Sequence, residues 1–411
     1  MIPTVFIFKS DSRAMRYGIG TYISELIESL LRYTRIKIYL ISIYNDDVKE
    51  FIIDEISSNF TEIKIPSPIK KKANSEDAKK YYSRAIDLLL EPTISKQNNI
   101  IFHFNTSQEI TLAKLFKQKY TYPIISIAHV AEWQLFLNGN KNKISELNIE
   151  KPETFIEKFI ANEREFYQLS DKIITVTQYM KDFLVTYYKI SDHKITTIYN
   201  GISAHNHKKL STPQKNKIKY EWGFSQKDNI ILFVGRIDEG KGIFFLLKAF
   251  FEVCKQRADL HLIFAGNGDL KRAFEQIKQF HGRVHFTGYL DKKKLEELYL
   301  ISDIGILPSL YEQCPYSLLE MMDYKLPVIT SKIEGIKEIY NENQCVFIEP
   351  TINRTGEISL SINEIKEAIL KLTTNKKEAI QMARKAFIEL SDKFSSKKMA
   401  ETLYQAYISN K

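Results

Sequence analysis

Short runs of β-branched and aromatic residues recur along the first half of the chain, at Thr4–Phe8, Ile36–Ile43, Ile100–Phe104, Ile124–Ala128, Lys172–Val176 and Ile195–Tyr199. Between them lie stretches in which apolar residues return every three or four positions, as in Thr21–Tyr33 and Thr154–Leu169. The first pattern predicts buried strands and the second amphipathic helices. Their alternation predicts a parallel sheet covered by helices on both faces. The rhythm breaks at Ser203–Lys217, SAHNHKKLSTPQKNK, which is polar, basic and carries a proline, and reads as an interdomain linker. A second alternating half follows, with strands expected near Asn229–Val234, His261–Ala265, Val284–Phe286, Ile304–Leu307, Val328–Thr330 and Cys345–Ile348. The end of the chain, Lys376–Lys411, reads as helix with a break near Ser391–Ser396. The expected fold class is therefore α/β, two Rossmann-like domains facing across a cleft, with boundaries at 1–203 and 217–391 and a terminal segment 392–411.

Composition narrows the picture. A chain of 411 residues is too long for one ordinary core, which agrees with two domains. No apolar run approaches the ~18 residues of a membrane span, and the opening MIPTVFIFKS reads as a first strand rather than a signal peptide. The three cysteines, Cys254, Cys314 and Cys345, have no metal-like spacing, so a reducing, cytoplasmic setting is expected. The formal charge is +9, but the basic residues are dispersed among acids; Lys70-Lys71-Lys72 is the one dense run, and it reads as a solvated loop. No nucleic-acid-binding pattern is present. The positive excess suits anionic substrates or the anionic inner face of a membrane.

Three glycine-bearing turns and one acidic pair are the candidate chemistry. Asp303–Glu320, DIGILPSLYEQCPYSLLE, reads as a strand, a polar turn and a helix that Pro315 helps to start. The first turn of such a helix offers unpaired N–H groups to an anion, and Glu312 in the turn can accept hydrogen bonds from hydroxyls. Phosphate together with many hydroxyls describes a nucleotide sugar. A solvated loop glutamate and an ion-paired helix glutamate explain Glu312 and Glu320 equally well on these residues alone. The loop Val234-Gly235-Arg236-Ile237-Asp238-Glu239-Gly240-Lys241-Gly242 nearly spells a P-loop, but Gly242 stands where the metal-binding hydroxyl belongs. Arg236 and Lys241 suit direct neutralisation of a diphosphate. Tyr17-Gly18-Ile19-Gly20, after the first strand, and Ala265-Gly266-Asn267-Gly268-Asp269, after a later one, allow close backbone approach or simply turn the chain.

Together these pieces resemble the GT-B glycosyltransferases, in particular family 4, the retaining nucleotide-sugar transferases. The resemblance covers nearly the whole chain. It is carried by IYNGI (198–202), ILFVGRIDEGKG (from 230), LIFAGNGDL (262–270), VHFTGYLD (284–291), LYLISDIGILPSLYEQCPYSLLEMMDYKLPVITS (298–331) and EGIKEI (334–339). It implies that Glu312 binds donor-sugar hydroxyls and that Glu320 holds the ribose hydroxyls. Arg236 and Lys241 would bind the diphosphate with the N–H groups of Tyr316, Ser317 and Leu318, and Gly18 and Gly20 would approach the donor phosphate. Gly266 belongs to the same donor-binding set, and the backbone at Tyr289 and Leu290 would meet the base. The final helix would cross back onto the N-terminal domain. The sequence departs from the family at Gln313-Cys314-Pro315, where many relatives have Gly-Phe-Gly, a change expected to narrow the sugar pocket.

His129, at the end of an expected strand, is either a sugar or acceptor contact with a catalytic role or a satisfied strand-end histidine. Trp133, which follows Glu132, either stacks on a sugar or packs. The implied activity is retaining, metal-independent transfer of a sugar from a UDP- or GDP-sugar to a hydroxyl of a glycan, lipid or peptide. No cofactor beyond the donor is expected, nor a nucleic-acid partner. Segments 66–80 and 130–150 are the expected acceptor rim. The alternatives are a nucleotide-sugar epimerase on the same frame and a non-catalytic partner of an active transferase.

Overall fold

The structure is a computed structural model that describes residues 2–10, 18–68, 75–130, 133–137, 139–204, 210–353 and 356–409. Tyr17, Lys70-Lys71-Lys72 and Glu132, and parts of the two segments expected at the acceptor rim, lie outside the described residues. The chain forms two units. The first comprises 1–133, 145–203 and 395–411, and the second 134–144 and 204–394.

The first unit holds β1 (Thr4–Ser10), β2 (Lys37–Asn45), β3 (Ile52–Ser57), β4 (Phe60–Pro66), β5 (Ile100–Phe104), β6 (Ile124–Ala128), β7 (Lys172–Thr175) and β8 (Ile195–Thr197). They order as β3-β4-β2-β1-β5-β6-β7-β8, parallel except where β3 runs against β4. Val5–Phe8 in the central β1 is fully buried, as a strand covered on both faces requires. Its rings join a packed aromatic cluster, with Phe8 stacked on Phe104 at 4.5 Å between centroids. The sequence reading missed β3 and β4. Both carry charges, and β4 buries only alternate residues, Thr61, Ile63 and Ile65. Lys64 reaches across to Asp54 at 2.9 Å, so a pattern that looks polar is that of an edge hairpin.

The second unit holds β9 (Asn229–Val234), β10 (Leu260–Ala265), β11 (Val284–Gly288), β12 (Ile304–Leu307), β13 (Val328–Ser331) and β14 (Val346–Ile348), in the order β11-β10-β9-β12-β13-β14 and parallel throughout. A small hairpin, β15 (Pro350–Ile352) and β16 (Ile358–Leu360), stands apart from that sheet.

Part of the segment read as a linker is a helix, Thr212–Glu221. Ser211 and Gln214 form its capping box, the Ser211 N–H donating to the Gln214 side chain at 2.9 Å, and Pro213 sits in its first turn. Its lysine-rich composition hid the helical period. The first domain was also expected to run unbroken through residue 203, whereas 134–144 packs in the second unit. There Asn140 donates to the Gly356 carbonyl at 2.8 Å and Gln134 accepts from Gln313 at 3.2 Å.

The C-terminal helix Ser396–Ile408 belongs to the first unit and packs on the helix Gly18–Tyr33. The chain enters it beside Gly201, where a Cβ would crowd the backbone at Ser395, and the Ser396 N–H donates to the Ile202 carbonyl at 2.9 Å.

Candidate functional site

Strand order in the second unit sets the carboxyl ends of β11, β10, β9 and β12 side by side. Ligands of open parallel sheets bind at this edge, because the connecting loops and helix starts gather there. The expected donor-binding residues of this unit fall along it. Tyr289 and Leu290 follow β11, Gly266 follows β10, Arg236 and Lys241 follow β9, and Glu312 follows β12.

The loop after β9 is held by its backbone. Gly242 has φ +67°, and a Cβ there would overlap the carbonyl oxygen of Pro308. Gly266 has φ +148°, and a Cβ would overlap the carbonyl oxygen of Gly235. Only glycine meets both demands, left-handed geometry and backbone contact, at these two positions. Asp238 caps the turn by accepting from the Lys241 N–H at 3.1 Å, and the Leu310 N–H donates to the Gly240 carbonyl at 2.8 Å. The β9 and β12 loops are therefore tied together, and their side chains converge.

They converge as an ion pair. The Lys241 ammonium bonds the Glu312 carboxylate, which also accepts from the Ser309 hydroxyl at 3.1 Å. The two side chains are 18% and 12% exposed, so the pair is largely withdrawn from water and its geometry is held rather than averaged. Ser309 is fixed in turn, its carbonyl accepting from the Ser331 hydroxyl. Arg236 is more open, at 36% side-chain exposure, and lies 3.4 Å from Asp238.

Pro315 precedes the helix Tyr316–Asp323 as its cap residue rather than occupying its first turn. The Leu318 N–H, expected to face a ligand, donates to the Pro315 carbonyl at 3.2 Å. Tyr316 and Ser317 begin the helix. The side chains of Gln313 and Cys314, which replace the expected Gly-Phe, are buried in the second unit, and Gln313 donates to Gln134 at 3.2 Å.

Sequence reasoning missed Tyr299. This residue is 2% exposed, donates to Glu320 Oε2 at 2.5 Å, and stacks on Tyr324 with centroids 4.7 Å apart. Burial first, and the Glu320 charge second, push its pKa well above the usual tyrosine value, so it stays a phenol donor. The signal that could have found it was its place in the apolar last turn, Leu298–Ile301, of a short charged helix just before β12. Tyr299→Phe keeps the stack and removes the bond. Loss of one buried charge-assisted bond is expected to lower stability by about 1.5–3 kcal/mol, read as a lower melting temperature in a thermal melt.

The remaining expected residues lie in the first unit. Gly18 and Gly20 fall in the first turn of the helix Gly18–Tyr33, and a Cβ at Gly18 would meet nothing within 4 Å. The protein's own packing therefore does not require glycine at Gly18. His129 follows β6, stands edge-on to Tyr22 at 4.5 Å between centroids, and contacts Asn105 at 3.2 Å. Burial, aided by His103, pushes its pKa down to about 3. Trp133 is fully buried and stacked on Phe183, which makes it a packing residue. Among the described residues no group of His, Cys, Asp or Glu is arranged to hold a metal ion, and no helix is long and apolar enough to cross a membrane.

Solved structures share this architecture end to end. Sucrose-phosphate synthase from Thermosynechococcus elongatus aligns over 99% of this chain and 98% of its own, with TM-score 0.78 and 15% identity. Anabaena HepE in complex with UDP and glucose aligns over 99% and 100%, with TM-score 0.72 and 14% identity. At such identities the likeness establishes the fold, which is the GT-B fold of glycosyltransferases. Residues 17–206 match the family described as Glycosyltransferase Family 4, and residues 214–388 match Glycosyl transferases group 1. Together the two matches span most of the chain, and both are to glycosyltransferase families.

Among curated relatives, an uncharacterized glycosyltransferase of Methanocaldococcus jannaschii is 31% identical over 41% of this chain and 44% of its own length. Spore coat protein SA of Bacillus subtilis is 24% identical over 58% and 65%. The chain thus spans less than two thirds of the length of either relative.

Proposed function

We propose that the protein transfers a sugar from a nucleoside diphosphate sugar, UDP- or GDP-linked, to a hydroxyl of a glycan, lipid or peptide acceptor, with retention at the anomeric carbon. The observation that carries this reading is the withdrawn Lys241–Glu312 pair, fixed between two strand-end loops beside the start of the helix Tyr316–Asp323. A cation, a hydroxyl-accepting carboxylate and a helix start within one unit match the parts of a nucleotide sugar.

As the bond from the anomeric carbon to the diphosphate oxygen breaks, negative charge gathers on the leaving group. Lys241 and Arg236 neutralise it, which is the work a divalent ion does in metal-dependent transferases, and the reaction is proposed to need none. Glu312 accepts hydrogen bonds from donor-sugar hydroxyls, and Glu320, oriented by Tyr299, accepts those of the ribose. The backbone at Tyr289 and Leu290 meets the base, and Gly266 lets the donor lie close to the sheet edge. His129, Gly18 and Gly20 of the first unit are proposed as substrate contacts. The site of action is proposed to be the cytoplasm, including the inner face of an anionic membrane.

The test is incubation with a panel of UDP- and GDP-sugars, following nucleoside diphosphate release and the anomeric configuration of the product by NMR. One donor is expected to release its nucleoside diphosphate, faster with acceptor, and to give a product of unchanged configuration. Conversion of the donor to an isomeric nucleotide sugar without acceptor would instead identify an epimerase.

A further inference from the structure

At the carboxyl ends of β5 and β6 a chain of hydrogen bonds dictates where the protons sit on two histidines. The Asn105 amide nitrogen donates to the Phe8 carbonyl at 3.0 Å, which turns its oxygen, Oδ1, toward both imidazoles. That oxygen lies 3.3 Å from His103 Nε2 and 3.2 Å from His129 Nε2. An amide oxygen carries no proton, so both Nε2 atoms must be the N–H. His103 Nδ1 is then an acceptor, and it takes the Tyr407 hydroxyl at 2.6 Å. Three of the four side chains, His103, Asn105 and Tyr407, are at most 3% exposed, so water does not compete for these bonds. His129 Nδ1 has no hydrogen-bond partner among the described residues.

Among the described residues the titratable groups facing His129 are His103 and Tyr22, with Tyr407 behind His103. Burial holds His103 down at about 4 and raises both phenols, and among the described residues no carboxylate acts on either imidazole. None of these groups favours an imidazolium.

We infer that Asn105 is a positioning residue that locks His129 as the neutral Nε2–H tautomer, with its Nδ1 lone pair presented to a substrate hydroxyl, and that Tyr407 on the C-terminal helix completes the lock through His103. The consequence is selective. His129 so held accepts from a hydroxyl and cannot donate to, or neutralise, a phosphate oxygen. Assigning that hydroxyl to a sugar or acceptor rests on the proposed transfer reaction; the tautomer does not.

The full chain labelled with 15N-histidine reports each ring nitrogen separately by NMR, the His129 signals being identified by their loss in His129→Gln. Wild type is expected to show Nε2–H and an unprotonated Nδ1 at His129, unchanged from pH 8 to pH 5. Asn105→Asp puts a carboxylate between the imidazoles. It should lift the His129 pKa from about 3 to above the ordinary histidine value of about 6.5. Donor turnover by this variant should fall about tenfold below that pKa and recover above it, because the deprotonated ring still points Nε2–H at residue 105. Asn105→Ala, which removes the oxygen facing both imidazoles, should give His129 a mixed tautomer and serves if the aspartate variant does not fold. A wild-type His129 protonated on Nδ1, or on both nitrogens near neutral pH, would overturn the inference, as would turnover by Asn105→Asp that does not recover with pH. Absence of wild-type turnover with every nucleotide sugar would overturn the transfer reading and leave the tautomer assignment standing.

Discussion

Replacing Lys241 with alanine lowers nucleoside diphosphate release from the donor by about a hundredfold or more. The size follows from position. Lys241 sits on a loop fixed by the Asp238 cap, the Gly240–Leu310 backbone bond and the Gly242 contact with Pro308. Its ammonium is therefore placed before the reaction begins and spends nothing on reorganisation as charge develops on the leaving group. In the free protein its partner is Glu312, so removing it also leaves a carboxylate that is only 12% exposed with a single hydroxyl donor, Ser309. A modest loss of stability accompanies the change. Steady-state kinetics, read beside the melting temperature, separate the two effects. Lys241→Ala should lose its rate at temperatures where it remains folded, and Arg236→Ala, whose side chain is twice as exposed, should lose less. Near-normal turnover by Lys241→Ala would remove the diphosphate from this loop.

The largest effect on stability is expected at Gly242. Gly242→Ala must hold φ near +67° and fit a methyl group where the Pro308 carbonyl oxygen already lies. The backbone strain alone is about 1–2 kcal/mol, and the overlap cannot be relieved by a side-chain rotation because both atoms belong to the main chain. With the strand-end loops forced apart, a loss of at least about 2 kcal/mol is expected. That corresponds to a fall of roughly 4–8 °C in the melting temperature of a unit this size. Gly18→Ala is the control, since a Cβ there meets nothing. A thermal melt in which the two variants behave alike would show that the β9 loop is not built as described.

Strands buried on both faces were readable because they must be continuously apolar; Val5–Phe8 and Ile230–Phe233 are unambiguous in any register. The hairpin β3–β4 was not, since an edge can carry Asp54, Glu62 and Lys64 at no cost. The helix Thr212–Glu221 buries little of itself and so shows no apolar stripe, though Ser211, Pro213 and Gln214 announced its start.

The candidate site divides in the same way. Glu312, Arg236 and Lys241 were legible because each lies just past a readable strand, where a parallel sheet gathers its loops. Tyr299 against Glu320, and His103 against Tyr407, were not. Their meaning lies in pairings across 21 and 304 positions that no local pattern records. The burial of Gln313 and Cys314 is a further case, since the Gln313–Gln134 bond spans 179 positions.

Titration calorimetry of UDP and of GDP into the wild-type chain and into Glu320→Ala bears most directly on the claim that the carboxyl edge of the second sheet holds a nucleoside diphosphate. One of the two nucleotides should bind wild type at a single site, and binding should weaken at least about tenfold in the variant at a temperature where it remains folded, the loss of the Tyr299 partner lowering its melting temperature by a few degrees. Equal affinity in both proteins, or no heat from either nucleotide with wild type, would contradict it.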